Sequence, residues 1–78
     1  MVYPNPNDGS IVYVKVNNAE EAKLNFYDST GNEVPTIRSI VSQYVMTMKP
    51  MQNIISGMYF INITENGKRT VKKVIVTK

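Results

Sequence analysis

The stretch Gly57-Met58-Tyr59-Phe60-Ile61-Asn62-Ile63-Thr64-Glu65-Asn66-Gly67-Lys68-Arg69-Thr70-Val71-Lys72-Lys73-Val74-Ile75-Val76-Thr77-Lys78 decides the fold. Two β-prone runs flank Asn66-Gly67, and an Asn-Gly pair between such runs is the strongest short-range hairpin signal. Tyr59, Ile61 and Ile63 alternate along the first run, which is the period of a strand with one buried face. The pattern predicts a strand over residues 57–64 and a return strand over 69–78. This second run holds five of the nine cations, namely Lys68, Arg69, Lys72, Lys73 and Lys78. They interleave with Val71, Val74, Ile75 and Val76, so the last strand is an edge candidate. It is open to an anionic partner, to addition onto another sheet edge, or to pairing between copies.

The same periodicity runs upstream. Residues 10–16 place Val12, Val14 and Val16 on one face. Residues 22–28 do the same with Ala22, Leu24 and Phe26. Residues 33–40 are extended but interrupted by Pro35, which confines them to an edge strand or a bulge. Residues 43–48 alternate again, with Tyr44, Met46 and Met48 on one side. Residues 49–56 form a loop whose Met51, Ile54 and Ile55 are expected to fold over an open end of the core. Residues 17–21 are a polar loop or a single helical turn. Residues 2–9 read as a rigid extended arm through Pro4 and Pro6, then a tight turn at Asn7-Asp8-Gly9. Asp28-Ser29-Thr30-Gly31-Asn32 is a second turn, with Gly31 supplying a positive φ.

Composition agrees. Val and Ile total 18 of 78 residues, and Leu and Ala total three. β-branched residues suit a pleated, half-buried surface, while the strong helix formers are nearly absent. Six or seven short strands at this spacing predict one all-β domain, a small antiparallel β-sandwich over residues 1–78.

The same inventory narrows function. The chain has no Cys, His or Trp. Disulfides, Cys/His zinc sites and Ser-His-Asp or Cys-His nucleophiles are therefore excluded. The longest apolar runs are four residues, far below the about 20 of a membrane helix. The first cation is Lys15, so no signal peptide is visible at this N-terminus. The six carboxylates are Asp8, Glu20, Glu21, Asp28, Glu33 and Glu65. Only Glu20 and Glu21 are adjacent, and neighbours in extended chain point apart, so no acid pair converges on a substrate. Asn5, Asn7 and Asp8 lack the carboxylate count and spacing of a calcium loop. Asn62-Ile63-Thr64 matches a glycosylation sequon within a strand. No cofactor and no metal is expected, and nucleic acid is not, because the last strand carries no aromatic platform beside its cations.

Four segments together resemble the C-terminal sorting domains of the type IX (Por) secretion system. They are Val2-Tyr3-Pro4-Asn5-Pro6-Asn7-Asp8-Gly9, Leu24-Asn25-Phe26-Tyr27-Asp28-Ser29-Thr30-Gly31-Asn32-Glu33-Val34, Ser56-Gly57-Met58-Tyr59-Phe60-Ile61 and Lys73-Val74-Ile75-Val76-Thr77-Lys78. Their order and the overall length are similar to the family pattern, whereas residues 35–43 and 49–55 depart from it. The resemblance implies a small Ig-like sandwich without catalytic activity. It implies a C-terminal address that directs a passenger protein across the periplasm to the cell surface or medium. The implied partners are an outer-membrane shuttle protein and a sortase-like cysteine peptidase that cuts upstream of the domain. The chain would then be an excised C-terminal piece, with Met1 foreign to the natural protein. The sorting-motif candidates are Pro4, Asn5, Pro6, Gly9, Asp28, Gly31, Gly57, Tyr59, Lys73 and Lys78. Tyr59 is expected to pack inward with its hydroxyl at a wet edge. Gly57 is expected to permit a close backbone approach or an unusual φ. The alternative is an Ig-like or fibronectin-like spacer or adhesion module, with Tyr13, Tyr27 and Tyr44 as its only aromatic candidates for a sugar.

Overall fold

Alternation is what the structure spends its apolar residues on. The computed structural model describes residues 1–78 and contains seven strands and no helix. They are β1 (Val2–Tyr3), β2 (Val12–Lys15), β3 (Lys23–Asp28), β4 (Thr36–Ser42), β5 (Val45–Pro50), β6 (Gly57–Glu65) and β7 (Lys68–Val76). One sheet has the order β1-β2-β5-β4 and the other β3-β6-β7, with every ladder antiparallel. Val12 and Val14 from β2, Met46 and Met48 from β5, Leu24 and Phe26 from β3, Ile61 and Ile63 from β6, and Val74 and Val76 from β7 meet between the sheets. Each such side chain stabilises the fold by about 1.5–3 kcal/mol relative to exposure. The small domain is therefore a two-layer β-sandwich, as the alternation predicted.

The β6–β7 hairpin runs in unbroken register from Gly57↔Val76 to Glu65↔Lys68. Asn66 and Gly67 both have positive φ, at 50° and 75°, as a primed two-residue turn requires. Pro35 lies just outside β4, and β4 is an edge strand with a bulge between Ile40 and Ser42. Both features match what a proline at that point permits.

Three expectations need correction. Tyr44 does not share a face with Met46 and Met48. Ser42 pairs with Val45, so Gln43 and Tyr44 form the turn between β4 and β5 and Tyr44 is exposed. The loop after β5 covers the core with Ile54 alone, since Met51 and Ile55 are exposed. Residues 2–9 are not an extended arm. Val2 and Tyr3 pair with Val14 and Tyr13 in one sheet. The chain then bends over residues 4–6, where the Tyr3–Pro4 and Asn5–Pro6 bonds are cis. Asn7 joins the other sheet through a parallel bridge to Val76. The segment thus starts in one layer and ends in the other, drawn across by its hydrogen bonds to β7.

Candidate functional site

Asn7 is the buried polar residue around which this end of the sandwich is organised, at 1% exposure. Its Nδ2 donates to Ile11 O at 2.9 Å and to Pro4 O at 3.3 Å. Its Oδ1 accepts from Gly9 N at 2.7 Å. Its own backbone N donates to Ile75 O at 2.7 Å, and Thr77 N donates to its carbonyl at 2.8 Å. No buried side-chain polar atom of the molecule is left without a partner. Such completeness matters because an unpaired buried polar group costs about 1–3 kcal/mol.

Asn5 extends the same pairing by one step. Its Nδ2 donates to Lys73 O at 3.1 Å and its Oδ1 accepts from Ile75 N at 2.9 Å. The side-chain amide thereby acts as the peptide group of an added strand. Lys73 O, Ile75 N, Ile75 O and Thr77 N are the outward-facing groups at the end of β7, and residues 5–7 take all four. The last strand does not present an open edge there, so the expected addition of this strand to a partner's sheet, or to a second copy, is blocked over its final residues.

The C-terminal residue is also held. Lys78 N donates to Ser56 Oγ at 3.0 Å, and Lys78 Nζ donates to Ile54 O at 2.8 Å. Gly9 closes the cluster. Its φ is +83°, and a Cβ there would lie 3.3 Å from Ile54 Cγ1, 3.4 Å from Val76 Cγ1 and 3.5 Å from Lys78 Cε. Glycine is required at this position on both counts.

The other candidates lie at the same end of sheet β3-β6-β7. Gly57 pairs with Val76, and Tyr59 sits between Asp28 and Val74 in the register. The Tyr59 ring is buried and stacks on Phe26 with centroids 5.3 Å apart, while its hydroxyl donates to Ile55 O at 2.7 Å. Asp28 organises its turn by accepting from Thr30 N, Thr30 Oγ1 and Asn32 N. These bonds, the Thr30 hydroxyl first, hold its carboxyl below the usual carboxylate range. Asp8 is likewise lowered, chiefly by the Ser10 hydroxyl. Gly31 has φ +89° and meets nothing within 4 Å. A Cβ at Gly57 also meets nothing within 4 Å, so close approach is not its role. All ten candidates therefore gather at one end of the domain, in two groups. Pro4, Asn5, Pro6, Gly9, Lys73 and Lys78 lie along the edge of β7. Asp28, Gly31, Gly57 and Tyr59 shape the adjoining turns.

The family model for the secretion system C-terminal sorting domain matches residues 1–77. The chain belongs to this family. A type IX sorting domain is the address by which a protein is exported to the cell surface or extracellular space, and such domains act as signals rather than catalysts. Its task implies contact with the secretion machinery. No match to a curated protein and none to a solved structure was found. No helix of this sorting domain is long and apolar enough to cross a membrane.

Sequence reasoning overlooked Asn7, Ile54, Ser56 and Thr77 as parts of this site. An Asn two residues before Gly9 signals a turn, but no local signal announces that its backbone pairs with a strand 70 residues away. The tyrosines of the alternative reading do not converge. Tyr13 stacks on Tyr3 on the outer face of one sheet, Tyr27 belongs to the other sheet, and Tyr44 caps a turn.

Proposed function

We propose that the machinery reads the edge where residues 4–9 cover β7, with Pro4, Asn5, Pro6, Lys73 and Lys78 as its exposed elements. In this reading an outer-membrane shuttle protein engages the folded domain in the periplasm. A sortase-like cysteine peptidase then cuts upstream, and the domain itself performs no chemistry. The observation that carries the reading is the pairing of Asn5 and Asn7 with Lys73, Ile75 and Thr77. It joins the two ends of the family motif into one rigid surface, so little conformational entropy is lost when a partner binds there.

Deleting residues 74–78 is a poor test. It removes Val74 and Val76, which are almost wholly buried, and so unfolds what it is meant to silence. The discriminating experiment fuses residues 2–78 behind a signal peptide and a fluorescent reporter, in cells with and without a working type IX apparatus. Wild-type reporter is expected at the surface or in the medium only when the apparatus works. Lys73→Glu and Asn5→Ala, each checked for an intact thermal transition, are expected to leave reporter in the periplasm. Normal export of both folded variants would refute this edge as the surface that is read.

A further inference from the structure

The inner face of sheet β3-β6-β7 is fixed by buried residues such as Leu24, Phe26, Ile61 and Val74. Side chains alternate along a strand, so the residues between them form the outer face of this sheet. The register sets that face out in rows. Met58 stands beside Ile75. Tyr27, Phe60 and Lys73 form the next row, then Asn25, Asn62 and Val71, then Lys23, Thr64 and Arg69. Three cations and five large apolar side chains therefore share one surface. Met58, Val71 and Ile75 are 44%, 52% and 40% exposed, and Lys23, Arg69 and Lys73 are exposed as well. One carboxylate borders the face. Glu33 lies opposite Tyr27 at the β3 edge, where it accepts from Asn25 Nδ2 at 3.0 Å.

Exposed apolar side chains gathered on one surface mark an interaction site. Its excess of cations selects an anionic partner. Shape narrows the choice further. None of the molecule's cavities is lined by Lys23, Tyr27, Phe60, Val71, Lys73 or Ile75. The face has no slot for the anchoring side chain that a tight protein interface uses. It fits a broad, yielding surface. Export to the cell surface brings the domain to a membrane.

We infer that the outer face of β3-β6-β7 lies against an anionic phospholipid surface. Met58, Phe60, Val71 and Ile75 enter the headgroup layer, and the Tyr27 ring sits at its boundary with the hydroxyl in water. Lys23, Arg69 and Lys73 meet the lipid phosphates, each cation adding to the attraction near such a surface. Partial burial of a few apolar side chains together with a few charges gives reversible attachment, short of anchoring. Attachment weakens with salt, because screening acts on the charged share of it. Lys73 also borders the covered edge of β7, so the test leaves it unaltered, and failure here is separate from failure of that edge as a recognition surface.

Cosedimentation of the whole chain with vesicles tests the inference. The chain is expected to bind vesicles of phosphatidylglycerol and phosphatidylethanolamine at millimolar lipid, to be released by high salt, and to ignore phosphatidylcholine vesicles. Lys23→Glu with Arg69→Glu is expected to weaken binding at least tenfold. Lys15→Glu with Lys49→Glu makes the same change in net charge on the other sheet and is expected to cost less than threefold. All four side chains are exposed, so both double variants keep the melting temperature. The chain has no Trp, so Val71→Trp gives a single reporter, whose emission is expected to shift to the blue on anionic vesicles. Ile40→Trp, on β4 of the other sheet, is expected to show no shift. Absence of binding to the anionic vesicles at low salt would overturn the inference and leave the face to an acidic protein. Equal loss in the two double variants, equal binding to phosphatidylcholine, or a blue shift at residue 40 in place of residue 71 overturns it as well.

Discussion

Asn7→Ala separates burial from hydrogen-bond number as the source of stability at the motif end. The substitution removes three side-chain bonds, to Ile11 O, Pro4 O and Gly9 N, and leaves those groups facing a site with almost no solvent access. A typical intramolecular hydrogen bond contributes about 0.5–1.5 kcal/mol net, and a stranded buried group costs more. The expected loss is about 2–4 kcal/mol. A domain of this length has a total stability of about 4–12 kcal/mol, so the variant forfeits a large share of it. Asn5→Ala removes two bonds, to Lys73 O and from Ile75 N, but both are exposed. Water replaces them, and the expected loss is about 0.5–1 kcal/mol.

Urea unfolding of the two variants beside the wild type makes the comparison. With a slope of about 1 kcal/mol per molar urea, Asn7→Ala lowers the midpoint by about 2 M or more and Asn5→Ala by less than about 1 M. Hydrogen exchange at Thr77, whose amide donates to Asn7 O, reports whether the arm has lifted from β7. It is expected to accelerate in Asn7→Ala beyond the global change. Equal midpoint shifts for the two variants would show that burial is not the deciding term. An unaltered Thr77 rate would show that the Asn7 side chain does not hold the arm.

Further outcomes follow from single positions. Gly9→Ala forces a left-handed residue against Ile54, Val76 and Lys78, and is expected to cost about 2 kcal/mol or more by thermal melting. Gly67→Ala, with nothing within 4 Å, is expected to cost only about 1 kcal/mol. Tyr59→Phe keeps the stack on Phe26 and loses the bond to Ile55 O, which predicts a loss of about 1 kcal/mol with the fold intact by circular dichroism. Asp28 and Asp8 have carboxyls lowered below their ordinary values. A lowered folded-state value gives stability that is present above the unfolded pKa of about 4 and lost as pH falls through the folded one. The urea midpoint is therefore expected to fall below pH 4, and Asp28→Asn is expected to flatten that fall.

What could be read from the sequence followed the range of the interaction that determines it. The β6–β7 hairpin depends on Asn66-Gly67 and on alternation within a few residues, so its turn and register were legible. The inward faces of β2, β3 and β6 were legible for the same reason. Tyr44 was misplaced because a run of alternating residues does not say where a two-residue turn begins. The arm was misread for a different reason. Local proline rules favour extended chain before Pro4 and Pro6, yet four hydrogen bonds joining Asn5 and Asn7 to Lys73, Ile75 and Thr77 draw residues 5–7 across to the second sheet. Those bonds span about 70 residues of sequence, and no local pattern encodes them.

The same long-range pairing explains why both ends of the chain carry the recognisable motif. A signal consisting of the last residues alone would need only a basic, apolar tail. Here Ile75 and Thr77 depend on Asn5 and Asn7 for partners, Lys78 depends on Ser56 and Ile54, and Gly9 must be bare for Val76 and Lys78 to approach. A change at residue 7 therefore reaches the presentation of residues 73–78 without touching them. In the reading proposed above, the address is a property of the folded end of the sandwich. Peptides of residues 68–78 in isolation are expected to neither compete with the domain for export nor bind what it binds. Inhibition of reporter export by such a peptide at the concentration where the intact domain inhibits would place the signal in the linear strand and remove the arm from it.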